Sequence, residues 1–364
     1  MSEQNSNLDY VAKNRGRTRI CIIQSKIRAS FRYACEMKPF SRTRRHFIGG
    51  TLGAATLLYT GASRAQSFPA KPIRFVVPWA PGGSTDVLAR IIGQKLFESW
   101  GQPVLIENRP GASGNVGSEV IARAVPDGYN ILVGSMSTHA MNGALYAKMP
   151  FRPVDDFAPV ALLAYVTNVL AVHPSVKANT IAELIAYAKA NPGKLNYASA
   201  GSGSTNHLSA ALFEKMAGIQ MTHVPYKGGA PAVTDLVGGQ VDMLFTGSTN
   251  VLAHVKAGRL KLLAVTESQR AKVLPDLPTV AETLPGYEMA VWYGMFAPHG
   301  APPELVGKLN AEVNRIMVLP DVNAKLAPLG AEAVTKSAPE FARILKADEQ
   351  KWGRIIREVG AKAE

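Results

Sequence analysis

The sequence predicts an α/β protein of two domains, each a β-sheet flanked by helices, and three observations predict it. From Ile73 onward, short apolar runs alternate with helical patterns of 10 to 15 residues, the signature of βα units on a largely parallel sheet. The alternation halts at one long apolar run, "APVALLAYVTNVLAVH", and then restarts. A chain of 364 residues, 47% of them hydrophobic, has the material for two cores.

Taken in order, "IRFVV" is a strand and "STDVLARIIGQKLFESW" the helix after it; "PVLIENR" precedes the helix "GNVGSEVIARAV", and the strand "YNILVG" follows. Beyond the long run come "TIAELIAYAKAN", "LNYAS", "STNHLSAALFEKMAG", "MTHVPY", "GGAPAVTDLVGG", "VDMLFTG", "NVLAHVKAG" and "KLLAVT", a second set of βα units. The tail reads as a strand, "PGYEMAVWYGMFAP", and two helices, "PPELVGKLNAEVNRIMV" and "APEFARILKADEQKWGRIIREVG". Long helices after a strand fit a return to the first domain. The expected division is residues 66–170 for the first part of domain 1, 171–290 for domain 2 and 291–364 for the return. Crossings near 165–173 and 286–293 would then form a hinge, with Trp292 and Tyr293 close to it.

The formal charge of +13 would suggest nucleic acid if it were spread over the fold. It is not: residues 1–65 hold 12 Lys/Arg and 3 Asp/Glu, leaving 28 against 24 for the rest. That leader reads as a targeting segment. Thr43-Arg44-Arg45-His46-Phe47-Ile48 is a twin-arginine arrangement, a weakly apolar run reaches Tyr59, and Ser63-Arg64-Ala65 is a small-x-small cleavage site. Met37 opens a stretch with a normal start for such a signal, so Met37 is the expected true start and cleavage after Ala65 the expected processing. An ordinary secretory signal is the other reading. Both cysteines, Cys21 and Cys35, precede Met37, which excludes disulfides and thiolate chemistry from the processed chain.

Every loop with chemical promise lies where a strand hands over to a helix, the place where open α/β sheets bind ligands. In "PGGSTD", Gly82 and Gly83 allow close approach of the backbone, and Ser84 or Thr85 can cap the helix. The first-turn N–H groups, with the helix dipole behind them, then form an anion site that needs no arginine. Three more loops of small and hydroxyl residues follow strands: "GSMSTHAMN" with Ser135, Ser137 and Thr138; "ASAGSGSTNH" with Ala200, Gly201, Ser202, Gly203, Ser204 and Thr205; and "FTGSTN" with Thr246, Gly247 and Ser248. Together they suit a small anionic or polar ligand held mainly by main-chain donors and hydroxyls. Trp79 stands beside the first loop as a possible aromatic wall.

The exclusions narrow the field. Gly111, Gly114 and Gly117 have the spacing G-x-x-G-x-x-G, not the dinucleotide fingerprint, and no P-loop or G-x-S-x-G elbow occurs. His139, His173, His207, His223, His254 and His299 are scattered singly, so no metal or other cofactor is expected. Lys227 in "PYKGG" reads as a lysine on a glycine turn facing solvent or the cleft rim, and Asp242 as structural.

Several stretches together carry a family resemblance: "VPWAPGGSTDVLAR", "ENRPGASGNVGSEVIARAVPDGY", "HPSVKANTIAELIAYAKANPGKLNYASAGSGSTNHL", "HVPYKGGAPAVTDLVGGQVDMLF" and "LPDLPTVAE". In this order they resemble the extracytoplasmic solute receptors of tripartite tricarboxylate transporters, the Bug family, over essentially the whole chain from Lys71. The resemblance implies a periplasmic, two-domain Venus-flytrap receptor, monomeric and not an enzyme. It would close on a small organic carboxylate and deliver it to integral-membrane transporter subunits. It also implies that backbone amides and ordered waters of two loops grip the carboxylate, here Gly82 to Thr85 and Ala200 to Thr205. Ser135, Ser137, Thr138 and Thr246 to Ser248 are added from position alone. A carboxylate sensor would use the same closure on a signalling partner. An exported hydrolase or lyase would need a nucleophile with a base in reach, which the sequence offers at no known spacing.

Overall fold

The computed structural model describes residues 68–363; the leader, its twin-arginine pair, Cys21, Cys35 and the cleavage site lie outside them. Strand β1 (Ile73–Val77) is almost wholly buried, as an apolar run must be in the middle of a sheet covered on both faces. It pairs in parallel with β2 (Val104–Asn108) on one side and β3 (Asn130–Ser135) on the other. Helices α1 (Ser84–Trp100) and α2 (Asn115–Ala122) connect them, and a short α3 (Asn142–Leu145) follows β3.

The long apolar run divides at Thr167 into β4 (Phe157–Val166) and β5 (Asn168–Val172), and the two halves join different sheets. The second sheet has the order β7-β6-β8-β5-β9, with β6 (Asn196–Ser199), β7 (Thr222–Pro225), β8 (Met243–Gly247) and β9 (Lys261–Val265). Its helices are α4 (Ile181–Ala190), α5 (Thr205–Ala217), α6 (Gly229–Val237) and α7 (Leu252–Lys256). The chain then returns to the first sheet through β10 (Val291–Pro298) and β11 (Ala331–Ala333), giving the order β11-β4-β10-β3-β1-β2. Two-sheet α/β architecture is therefore the fold, as the sequence predicts.

Two expectations need correction. The sheets are mixed rather than largely parallel: β10 runs antiparallel to both β3 and β4, and β5 antiparallel to both β8 and β9. These are the strands next to the crossings, where the chain enters a sheet without a covering helix to reverse its direction. The tail strand starts only at Val291, and Pro285 to Ala290 lie outside it.

The C-terminal helices cover the first sheet. In α8 (Pro303–Met317), buried Leu309, Val313, Ile316 and Met317 form one stripe; α9 (Pro320–Leu326) follows. In α10 (Ala338–Val359) the stripe is Phe341, Leu345, Trp352 and Ile356. Ser337 and Glu340 close a capping box at the start of α10. The Phe341 ring sits over Gly294 of β10, where any Cβ would stand 2.3 Å from its Cζ atom. A strand glycine here makes room for a helix aromatic.

Candidate functional site

The cradle forms because β1 stops at Val77 and the Pro78-to-Gly83 turn reverses the chain into α1. Gly83, not Ser84 or Thr85, is the N-cap, and it brings no side chain to the first-turn N–H groups. The turn is instead closed by Asp86, whose Oδ2 accepts from Gly82 N at 2.9 Å. Asp86 is itself buried, and Arg90 and Asn108 donate to it at 2.8 to 3.0 Å. Burial opposes ionisation of this carboxyl, but the bonds from Arg90, Gly82 and Asn108 outweigh it and hold it below its usual range. The only carboxylate in the turn is thus neutralised from behind, leaving the helix start free to attract an anion.

Loops from both sheets meet this helix start. The cleft between them is lined by Trp79, Gly83, Ser84, Thr85, Ser135, Ser137, Ala200, Ser204, Thr205, Asn206, Gly229, Gly247, Asn250 and Tyr293. Three helices, α1, α5 and α6, therefore begin at the same place, and among the described residues no charged side chain lines it. The cavity left is about 40 Å³, room for a water or so and far below the hundreds of Å³ usual for ligand sites. A groove of about 760 Å³ opens elsewhere, between Phe151, Arg152, Asp155, Glu349 and Arg357. Convergence of donors, not volume, marks the candidate site.

Of the residues chosen from sequence, the structure brings Gly83, Ser84, Thr85, Ser135, Ser137, Ala200, Ser204, Thr205, Gly247 and Trp79 to the cleft wall. Gly82 stands behind it as the donor to Asp86. The Thr138 hydroxyl is engaged within its own loop, donating to Ser135 O at 2.8 Å, and Thr246 accepts from Asn250 Nδ2 at 2.8 Å. Ser248 donates to Leu329 O at 2.8 Å, beside the crossing at Thr167. Gly201 and Ser202 line an adjoining pocket, and Gly203 N donates to His207 Nδ1 at 3.0 Å. Trp292 points away, into the helix layer, where its Nε1 donates to Asp348 at 2.6 Å. Its strand neighbour Tyr293 faces the cleft, as alternation along a strand requires.

Sequence reasoning missed Asn206, Gly229, Asn250 and Tyr293. Gly229 carries a signal, the start of the helical stretch "GGAPAVTDLVGG", which the sequence reading counts as a βα element but not among the site loops. Asn206 donates to Phe245 O at 2.5 Å and ties α5 to β8. Beneath the "AGSGST" loop lies a stack of Tyr197, His223 and His207, with the two imidazole rings 4.3 Å apart. Burial, then the neighbouring His207, pushes His223 down to about 4, so the stack is uncharged near neutrality.

A seam of contacts joins the two sheets' loops beside the cleft. Ser84 Oγ meets Thr249 Oγ1, and Ala80 N donates to Lys227 O at 3.3 Å. Ser113 Oγ and Tyr146 Oη both donate to the carbonyl of Ser202, at 2.5 and 2.9 Å. Ser113 adopts φ +49°, and Ala112 before it φ +45°; they are the non-glycine residues with positive φ among those described. Such backbone costs about 1 to 3 kcal/mol per residue and persists only where the surroundings enforce it. Here buried Asn142 does so, donating to Ser113 O at 3.0 Å and Asn115 Oδ1 at 2.7 Å.

Two sheets joined by antiparallel crossing strands, with a neutral cleft of helix N-termini between them, are the α/β architecture that this chain shares with solved two-domain periplasmic binding proteins. The model of the tripartite tricarboxylate transporter family receptor matches residues 88–361, and the chain belongs to that family. It is 38% identical over 301 residues to Protein BugT of Bordetella pertussis, covering 82% of this chain and 92% of that one. Among solved structures, R. palustris Rpa4515 with adipate superposes with TM-score 0.79 at 38% identity, covering 82% of this chain and all of that one. MatC from Rhodopseudomonas palustris, with bound malate, gives 0.76 at 35% identity, covering 79% of this chain and 100% of that one.

Proposed function

We propose that this chain is an extracytoplasmic receptor that captures a small organic carboxylate by closure of its two lobes and hands it to integral-membrane subunits of a tripartite tricarboxylate-type transporter. One observation carries the reading: the starts of α1, α5 and α6 converge on a cleft with no charged lining side chain among the described residues. Each helix start contributes roughly 0.3 to 1 kcal/mol toward an anion, more where water is excluded. The hydroxyls of Ser84, Thr85, Ser204 and Thr205 complete the grip. That relatives hold adipate and malate supports carboxylates as the ligand class.

The site binds rather than transforms its ligand, as a monomer. Closure turns on the crossing at Thr167 and the return ahead of Val291. Export with removal of the leader after Ala65 places the protein in the periplasm, and the N-terminus of the exported form checks this. The decisive experiment is a thermal-shift screen of carboxylic acids on protein starting at Gln66. An acid at about 100 times its Kd stabilises by roughly 2.7 kcal/mol; no shift with any mono-, di- or tricarboxylate refutes the reading.

A further inference from the structure

The second-lobe loop at the start of α5 has two glycines in three residues, Gly201 and Gly203, both with positive φ. Glycine loses more conformational freedom on ordering than any other residue, so a grip of fixed geometry needs anchors here. The imidazole stack supplies them. Gly203 N donates to His207 Nδ1 at 3.0 Å, and Gly201 N donates at 3.1 Å to Ser199 Oγ, which lies 2.6 Å from His223 Nε2. The His207 amide in turn donates to Ser204 Oγ, the N-cap of α5, at 3.3 Å. With these amides engaged, the N–H groups of Thr205 and Asn206 remain, which a helix start leaves without intrahelical acceptors; both residues line the cleft.

These bonds set the protonation of both rings. A nitrogen that accepts from an N–H carries a lone pair, so His207 Nδ1 is unprotonated. Ser199 is wholly buried and already accepts from Gly201; its own proton needs an acceptor, and His223 Nε2 is the one within reach among the described residues. His223 Nε2 is therefore unprotonated as well. Three titratable groups face the pair. Tyr197 of β6 stacks 4.9 Å from His223, Glu214 of α5 accepts from Met221 N at 2.6 Å, and the Tyr146 ring of the first lobe lies 3.4 Å from where a Cβ on Gly203 would stand. Burial raises both phenols, which stay neutral in acid, and raises Glu214 too. We propose that His207 and His223 are positioning residues for the carboxylate grip: their unprotonated nitrogens fix the Gly201 and Gly203 amides, and protonation of either ring frees the loop and weakens binding. This rests on the carboxylate-receptor reading and deepens it with a dependence on acid.

Calorimetric titration with adipate, malate or whichever acid of the screen binds wild type most tightly tests it in two kinds of variant. His207→Phe and His223→Phe keep a ring and lose the acceptor; His207→Asn and His223→Gln lose the ring but put an amide oxygen in place of Nδ1 and Nε2. At pH 7.5 each Phe variant should bind roughly five- to thirtyfold more weakly, and the Asn and Gln variants within about threefold of wild type. With His223 at about 4, half of it is charged at pH 4. Between pH 7.5 and pH 4 the wild-type Kd should therefore rise at least about twofold more than that of the His207→Asn/His223→Gln double variant. Titration of the acid itself and of Glu214 is common to both proteins. Melting curves without ligand show which variants fold, and the pH comparison needs only the double variant. Phe variants that fold and bind like wild type overturn the inference, as do folded Asn and Gln variants that bind as weakly as the Phe variants. A double variant with the wild-type pH profile overturns release by protonation. A wild type that binds no acid of the screen overturns the receptor reading and this inference with it.

Discussion

The two donors on Ser202 O give the sharpest test of closure, because Ser113 and Tyr146 come from the first lobe and Ser202 from the second. Tyr146→Phe removes one hydroxyl and keeps the ring; Ser113→Ala removes the other. A hydrogen bond of this kind contributes roughly 0.5 to 1.5 kcal/mol net, and Ser202 is partly exposed, so water can replace a lost donor in the variants. Each change should therefore raise Kd roughly two- to tenfold. The bonds exist only when the lobes are together, so the loss should fall on the dissociation rate, with association nearly unchanged. Both act on one carbonyl, which either donor alone still satisfies, so the double variant should lose more than the sum of the two. Stopped-flow and calorimetric titration with the best acid from the screen measure all of this. A double variant with an unchanged dissociation rate would refute the role of this contact in holding the closed state.

Three further outcomes follow from the geometry. Gly83→Asp places a carboxylate where the ligand's should lie; at Gly83 a Cβ meets nothing closer than Ala80 O at 3.9 Å, so the fold should hold while affinity falls at least about a hundredfold by calorimetry. Glu267 sits at the crossing, accepting from Asn168 N at 3.0 Å while its other oxygen is buried without a partner, and burial pushes it up to about 7 despite the backbone N–H groups around it. A folded-state value raised above the unfolded one means the native form is favoured at low pH and loses stability as pH rises from about 4.5 to about 7. Glu267→Gln should then gain about 1 to 3 kcal/mol over wild type at pH 8 and nothing at pH 4 in denaturant titrations; His139 and His223, present in both, cancel in the difference. Trp79 lines the cleft and Trp292 does not, so Trp79→Phe should abolish a ligand-induced change in tryptophan fluorescence that Trp292→Phe leaves intact.

What the sequence made legible was local. The apolar run of β1, the glycine turn after it and the periodicity of α1 are all written within 28 consecutive residues, 73–100, and the loop's place at a strand end follows from the βα order alone. Strand order across a sheet is not local: nothing in "VWYGMF" says that it inserts between β3 and β4. For that reason Tyr293 and Trp292 could be placed near the hinge from sequence but not assigned to opposite faces. Asn206 and Asn250 escaped notice because each lies one or two residues beyond a hydroxyl cluster, on the helical turn that follows it. Only the direction of that turn brings a side chain back to the cleft.

The small cavity bears on how such a receptor would select among acids. Ser84 with Thr249, Ser113 and Tyr146 with Ser202, and Ala80 with Lys227 already join the lobes across a cleft of about 40 Å³. An acid larger than this space has to hold the lobes slightly apart, and every seam contact it prevents is subtracted from its binding free energy. A neutral set of amide and hydroxyl donors discriminates poorly between one carboxylate and another, so the seam supplies size selection that the cradle lacks. Weakening the seam should then cost small acids more than bulky ones, which have already forfeited those contacts. Tyr146→Phe should accordingly narrow the spread of affinities across a series of acids of increasing bulk. A uniform loss across the series would mean that the ligand leaves the seam intact and that selectivity lies within the cleft wall itself.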